Sequence, residues 1–186
     1  KIRVVHYINQ FFAGVGGEEQ AHIAPELRKE LPPISTQLQG KLGEDFEVVA
    51  TVVCGDSYFN ENLESVQKEL LEMIKGCEPQ LFIAGPAFNA GRYGVAAGTI
   101  TKAVQDELHI PAVTAMYEEN PGTDMFKKDV YILETSDSAA GMRKALPKLA
   151  KFAAKLAKGE EILSPKEEGY HQRGLRVNFF SETRGS

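Results

Sequence analysis

The chain has only two cysteines in 186 residues, Cys54 and Cys77, and no metal-ligand spacing joins them. That excludes a disulfide framework and a zinc site as organisers of the fold. His22, His109 and His171 likewise lack partners at ligand spacing, so no metal is expected. No apolar stretch approaches the roughly 20 residues that cross a bilayer, and the opening KIRVVHYINQ lacks the unbroken apolar segment of a signal peptide. A cytoplasmic protein without a membrane span is the expectation. An excess of basic residues is also missing: 21 Lys and Arg stand against 26 Asp and Glu, a net charge of −5. No basic stripe alternates with aromatics, so nucleic acid is not an expected partner. Internal repeats and low-complexity tracts are absent as well.

What is there has the ordinary balance of a globular chain, with 42% apolar and 25% charged residues. Short β-rich runs alternate with stretches of helical spacing, the pattern of an α/β domain. Five strands are expected: IRVVHYI from Ile2, FEVVATVV from Phe46, QLFIAG from Gln80, PAVTAM from Pro111 and DVYILET from Asp129. One helix follows Asn60 with Leu63, Val66, Leu70 and Ile74 on one face and Gly76 as its C-terminal cap. Another runs from about Tyr93 to Leu108 and ends before Pro111. A last helix starts near Ser138 with Met142, Leu146, Leu149, Phe152 and Leu156 as its apolar stripe, and Pro147 is expected to kink or split it. The order, with no helix between the fourth and fifth strands, predicts a three-layer, doubly wound, mainly parallel sheet of the flavodoxin-like kind with about five strands. On this reading residues 1–158 form the domain. Residues 159–186 form an extension or linker in which GLRVNFF is a further strand candidate.

Ligands of open parallel sheets bind beyond the carboxyl ends of the strands, which selects the loops NQFFAGVGGEE, CGDSYFNEN, GPAFNAGRYG and MYEENPG. Gly14, Gly16 and Gly17 let backbone amides approach an anion, yet the run lacks a dinucleotide or P-loop fingerprint, and Glu18 and Glu19 disfavour an anionic ligand. A plain turn is the alternative. Asn89, Arg92 and Tyr93 stand at the start of a helix, where the Arg92 guanidinium can clamp a carboxylate through two parallel hydrogen bonds or pair with an acidic loop instead. Cys54 ends a strand and becomes a nucleophile only if its pKa falls from about 8.5, which neighbouring Asp56 opposes; an inert buried cysteine is the alternative. After Tyr117, a further candidate binding residue, Glu118, Glu119 and Asn120 supply two acceptors and an amide that can hold an ammonium group or act as base if buried; solvated turn carboxylates are the alternative. His6 reads as a core imidazole. The residues alone give a small-molecule site of mixed charge and assign no catalytic group.

The segments HYINQFFAGVGGEE, VVCGDSYFNEN, FIAGPAFNAGRYGVAAG, IPAVTAMYEENPG and SAAGMRKALPKLAKFAAKLAKGEEI occur in order from Ile2 to about Phe180. They resemble the amino-terminal half of the selenoprotein B subunits of the glycine, sarcosine and betaine reductases of anaerobic bacteria. ELPPISTQLQ departs from the glycine-rich stretch of that family. The resemblance implies an oxidoreductase subunit of an oligomeric complex, with no cofactor in this chain and the redox-active selenocysteine in a carboxyl-terminal half that it does not include. It also implies a companion subunit whose pyruvoyl group holds the amino acid as a Schiff base. The selenolate displaces the amine from the α-carbon, and the carboxymethyl group passes to selenoprotein A. A further component converts it to acetyl phosphate, and thioredoxin supplies electrons. Turnover by the 186 residues alone is not expected on this basis.

Within that resemblance, Arg92 with Asn89 is the expected clamp for the substrate carboxylate, and Glu118 or Glu119 the expected partner of its nitrogen. Two other readings stay open: a non-catalytic domain that binds small carboxylates or amino acids, and a flavin-binding electron carrier suggested by fold analogy alone.

Overall fold

Val4 and Ile8 of the first strand enter one apolar layer while Val5 and Tyr7 enter another, the two-sided burial that commits a strand to the interior of a covered parallel sheet. The computed structural model describes residues 1–174. Its strands are β1 (Ile2–Asn9), β2 (Glu26–Arg28), β3 (Phe46–Cys54), β4 (Leu81–Ala84), β5 (Ala112–Met116) and β6 (Tyr131–Glu134). Its helices are α1 (Pro33–Leu42), α2 (Asp56–Glu61), α3 (Leu63–Gly76), α4 (Gly91–Leu108), α5 (Pro121–Phe126), α6 (Met142–Ala157) and α7 (Pro165–Glu168).

The strands form one sheet in the order β2-β3-β1-β4-β5-β6, parallel throughout except for the antiparallel pair β2–β3. Phe59 of α2, Val66, Leu70 and Ile74 of α3, and Ala96, Ile100 and Val104 of α4 cover one face. Ile34, Leu38 and Leu42 of α1 and Leu146, Leu149 and Phe152 of α6 cover the other. Among the described residues no helix is long and apolar enough to cross a membrane.

Several expectations need correction. Among the described residues the sheet has six strands, not about five, because β2 is an edge strand of three residues, too short to carry a period. The fourth and fifth expected strands are separated by α5, whose six residues follow Asn120 as N-cap and begin with Pro121. Leu63 does not share the buried face of Val66, Leu70 and Ile74; it is 40% exposed at the first position of α3. Gly76 is the last residue of that helix, and Cys77 caps it. Pro147 does not split α6, which runs from Met142 to Ala157. A proline removes one intrahelical bond, and the buried stripe of α6 holds the helix on both sides of it. The expected strand GLRVNFF falls, from residue 175 onward, outside the described residues. Before it, α7 starts with a capping box on Ser164 and Glu167, and Tyr170 packs its ring against Tyr131 and Phe152 while His171 donates its backbone N–H to the Ile132 carbonyl.

Two contacts fix the ends of the strands that matter below. His6 lies wholly buried in β1; its Nδ1 meets Ser35 Oγ at 2.8 Å and its Nε2 meets the Gly85 carbonyl at 2.8 Å, while Thr51 donates to the same Ser35 oxygen at 2.7 Å. Burial holds its pKa down at about 4, against the pull of the Gly85 carbonyl, so the ring is neutral. On the other side α4 meets the turn before α5 so closely that a Cβ on Gly94 would stand 2.0 Å from Asn120 Oδ1. Glycine is what permits that approach.

Candidate functional site

The chain leaves β1 through α1 on one face of the sheet and leaves the neighbouring β4 through α4 on the other. Loops that depart in opposite directions open a crevice between them, and a cavity of about 330 Å³ lies there. Residues 9–12, Gly17 and Glu18 line it from the loop after β1, Asp56 from the end of β3, residues 87–90 from the loop after β4, and residues 137–139 from the loop after β6. A wider groove of about 1230 Å³ between α3 and α4 is an open helix–helix surface away from these strand ends.

Asn9 and Gln10, at the end of β1, hold Asp56 in place. Asn9 Nδ2 donates to Asp56 Oδ2 at 2.9 Å, Gln10 Oε1 accepts the Asp56 backbone N–H at 3.1 Å, and Asn9 Oδ1 accepts the Phe12 N–H at 3.0 Å to shape the turn. Asp56 is only 7% exposed, and among the described residues its Oδ1 has no hydrogen-bond partner. Burial raises its carboxyl to about 6, against the Asn9 hydrogen bond and the charge of Arg92, with Glu18 pushing the same way as burial. The hydroxyls of Tyr7 and Tyr93 are also buried without a hydrogen-bond partner among the described residues, and both are raised well above 10, first by burial.

Among the described residues the charged lining residues are Glu18, Asp56 and Asp137, and no Lys, Arg or His is in the lining. Three phenyl rings complete it: Phe11 and Phe12 lie edge to face with centroids 5.2 Å apart, and Phe12 stands 6.5 Å from Phe88.

Of the residues singled out in the sequence, the structure brings Asp56 and Asn89 together at this cavity. Arg92 lies outside its lining, where it donates to Ser57 Oγ at 2.5 Å and forms an ion pair with Glu18. Tyr93 is fully buried, its ring 6.1 Å from that of Tyr7. Cys54 is fully buried with its Sγ 3.9 Å from the Ile23 carbonyl, and burial pushes its thiol up to about 12, Asp56 adding to the effect. Burial also raises Cys77. Asn120 is 1% exposed and structural in its bonding: its Nδ2 donates to the carbonyls of Phe88 and Ala90, and its Oδ1 accepts the Gly122 N–H. It thereby ties the β5 loop to the β4 loop. Tyr117 is half-buried and Glu118 and Glu119 are exposed, none of them lining the cavity. Among the described residues no group of three or more His, Cys, Asp and Glu side chains is placed to hold a metal ion.

The aromatic pair Phe11-Phe12 and the Asp137-Ser138 segment were not singled out as site residues. Two consecutive aromatics in a polar loop beyond a strand, and the rule that every parallel strand's carboxyl end faces the crevice, are the signals that point to them.

The glycine/sarcosine/betaine reductase selenoprotein B family model matches residues 1–186. The chain is similar to the glycine reductase complex component B subunit gamma of Peptoclostridium litorale, 73% identical over 186 residues, which are 100% of this chain and 43% of that protein. It is 60% identical to the sarcosine reductase complex component B subunit beta of Peptoclostridium acidaminophilum over 100% of this chain and 43% of that protein. To the betaine reductase complex component B subunit beta of the same organism it is 39% identical over 180 residues, 97% of this chain and 41% of that protein. The chain thus spans less than half the length of these curated relatives. No solved structure matches it.

Proposed function

The chain belongs to the glycine/sarcosine/betaine reductase selenoprotein B family, and from that premise we propose that it is the substrate-facing amino-terminal domain of a component B subunit. The reaction of the assembly is reductive removal of the amine from the α-carbon of glycine, sarcosine or betaine, leading to acetyl phosphate. One observation carries the assignment of the site: the cavity at the β1/β4 switch point, walled by four loops from the carboxyl ends of the parallel strands. With the antiparallel edge strand β2 set aside, the order β3-β1-β4-β5-β6 supports a flavodoxin-like sheet, in which ligands sit at this same point.

The chain's own thiols do not fit the role of redox nucleophile, because Cys54 and Cys77 are both buried and both held protonated by burial. On this reading the nucleophile for the α-carbon is the selenocysteine that the family resemblance implies, in the part of the longer family chain outside these 186 residues. A pyruvoyl-bearing companion subunit, selenoprotein A and the thioredoxin system are the partners of this reading. What remains for this domain is to bind, orient and exclude water. Asn89 presents an amide at the cavity wall, Asn9 and Gln10 fix the Asp56 carboxyl, and Phe12 and Phe88 keep the interior dry.

The test is to fill the cavity in the assembled reductase with Ala139→Trp, at an exposed position of its wall. Acetyl phosphate formation should fall by about a hundredfold, the usual consequence of displacing a bound reactant, while assembly is retained. An unchanged rate with the tryptophan in place would overturn the proposal.

A further inference from the structure

The polarity of the cavity can be read from what its walls leave unpaired. Glu18 forms an ion pair with Arg92, and that contact together with Ser57 also occupies the guanidinium outside the cavity lining. Asp56 is different. It is 7% exposed, keeps one carboxylate oxygen without a hydrogen-bond partner among the described residues, and lines the cavity. Asp137 adds a second carboxylate from the loop after β6, and among the described residues no basic side chain balances either one in the lining. An anionic ligand would meet the unbalanced like charge of Asp56 and Asp137, and buried charge without a counter-ion is unfavourable. Phe11, Phe12 and Phe88 supply aromatic faces rather than further oxygens. Rings of this kind attract a soft, poorly hydrated cation, an alkylammonium above all, and give little to a metal ion that demands oxygen ligands. Phe11 is 59% exposed at this site, an apolar surface that a bound alkyl group would cover.

We propose that the cavity receives the positively charged nitrogen end of an alkylammonium ligand, with Asp56 as its buried counter-ion and the phenyl rings of Phe12 and Phe88 as its walls. The proposal rests on the reading that this crevice is the ligand site, and it reverses the expected polarity: the acid end of an amino acid faces outward, away from the Asp56 floor. Either the substrate's own nitrogen or the amine set free by the reaction presents this chemistry.

Calorimetric titration of the assembled component B at constant ionic strength, with methylammonium, tetramethylammonium, sarcosine, potassium and acetate, tests it. The alkylammonium ions should bind, and potassium and acetate should not. Asp56→Asn should weaken tetramethylammonium by about tenfold or more, the scale of losing one partner of a buried charge pair. Asp137→Asn, at an exposed position that does not endanger folding, should weaken it by about threefold. Phe12→Leu should reduce tetramethylammonium binding by about threefold or more. Sarcosine binding tighter than methylammonium identifies the substrate's nitrogen, and the reverse order identifies the released amine; both support the proposal. Acetate binding in preference to the ammonium ions, or affinity within twofold of wild type in both Asp137→Asn and Phe12→Leu, overturns it even if Asp56→Asn fails to fold. Loss of turnover in Ala139→Trp together with unaltered ammonium binding in these variants would sink this inference alone. Full turnover in Ala139→Trp would sink the site assignment beneath it.

Discussion

Replacing Asp56 by Asn should stabilise the folded chain, and only above a definite pH. Burial raises this carboxyl from 3.8 to about 6. Between those values the folded chain keeps a proton that the unfolded chain has lost, so stability is full below pH 3.8 and falls as the pH rises through 6. The gap corresponds to about 3 kcal/mol at 1.36 kcal/mol per pH unit, an order-of-magnitude figure. The amide introduced by Asp56→Asn would retain an oxygen to accept from Asn9 Nδ2, the bond present at 2.9 Å, but would carry no charge to bury. His6 runs the opposite way: its pKa is lowered from 6.5 to about 4, so its contribution is present above pH 6.5 and lost as the pH falls toward 4. The wild-type curve is a sum of both effects, and subtracting the variant removes the His6 part. Urea unfolding of both chains from pH 4 to 8, in sodium buffers free of amines, should give a difference that grows by about 2–3 kcal/mol in the variant's favour and levels off near pH 7. A constant offset from the new amide would not alter that slope. A difference independent of pH, or one that grows toward acid, would refute the placement of a buried carboxylate without a counter-ion in the lining at the cavity.

Asn120→Ala should destabilise the chain by about 1–3 kcal/mol in urea unfolding, because it leaves the Gly122 N–H without its partner and takes one of two donors from each of the Phe88 and Ala90 carbonyls, which keep the Tyr117 and Gly94 N–H groups. Gly94→Ala should cost about 1–3 kcal/mol by driving a methyl into Asn120, and the double variant should be less destabilised than the sum, since both act on one contact. Arg92→Gln should change stability by less than about 1 kcal/mol, since its ion pair with Glu18 is solvent-exposed; a larger loss would mean that the pair is a structural fastener. Both cysteines should resist a thiol reagent in the native chain at pH 7 and react on unfolding, because burial keeps them protonated; labelling of Cys54 within seconds would contradict its assigned environment.

The five parallel strands were legible in the sequence because burial on both faces writes a strand as a nearly continuous apolar run, as in Leu81–Ala84 and Ala112–Met116. The three residues of β2 and the six of α5 were not, since neither is long enough to show a period. At the site, the loops were legible and their side chains only in part. Asp56 and Asn89 were named and line the cavity, whereas the choice open to Arg92 turned on Glu18, 74 positions away in the chain. Asn120 carries its own local signature, since Asn before Pro-Gly begins a helix, and its amide is spent on that turn and on the β4 loop. Phe11 and Phe12 gain meaning only when Phe88 arrives beside them from another strand.

The most direct measurement is the structure of the assembled component B with tetramethylammonium or sarcosine bound. The ligand's nitrogen should lie in the β1/β4 cavity, facing the Asp56 carboxylate and in contact with the rings of Phe12 and Phe88. A ligand resolved elsewhere in the assembly, with only water between Asp56 and those rings, would contradict the assignment.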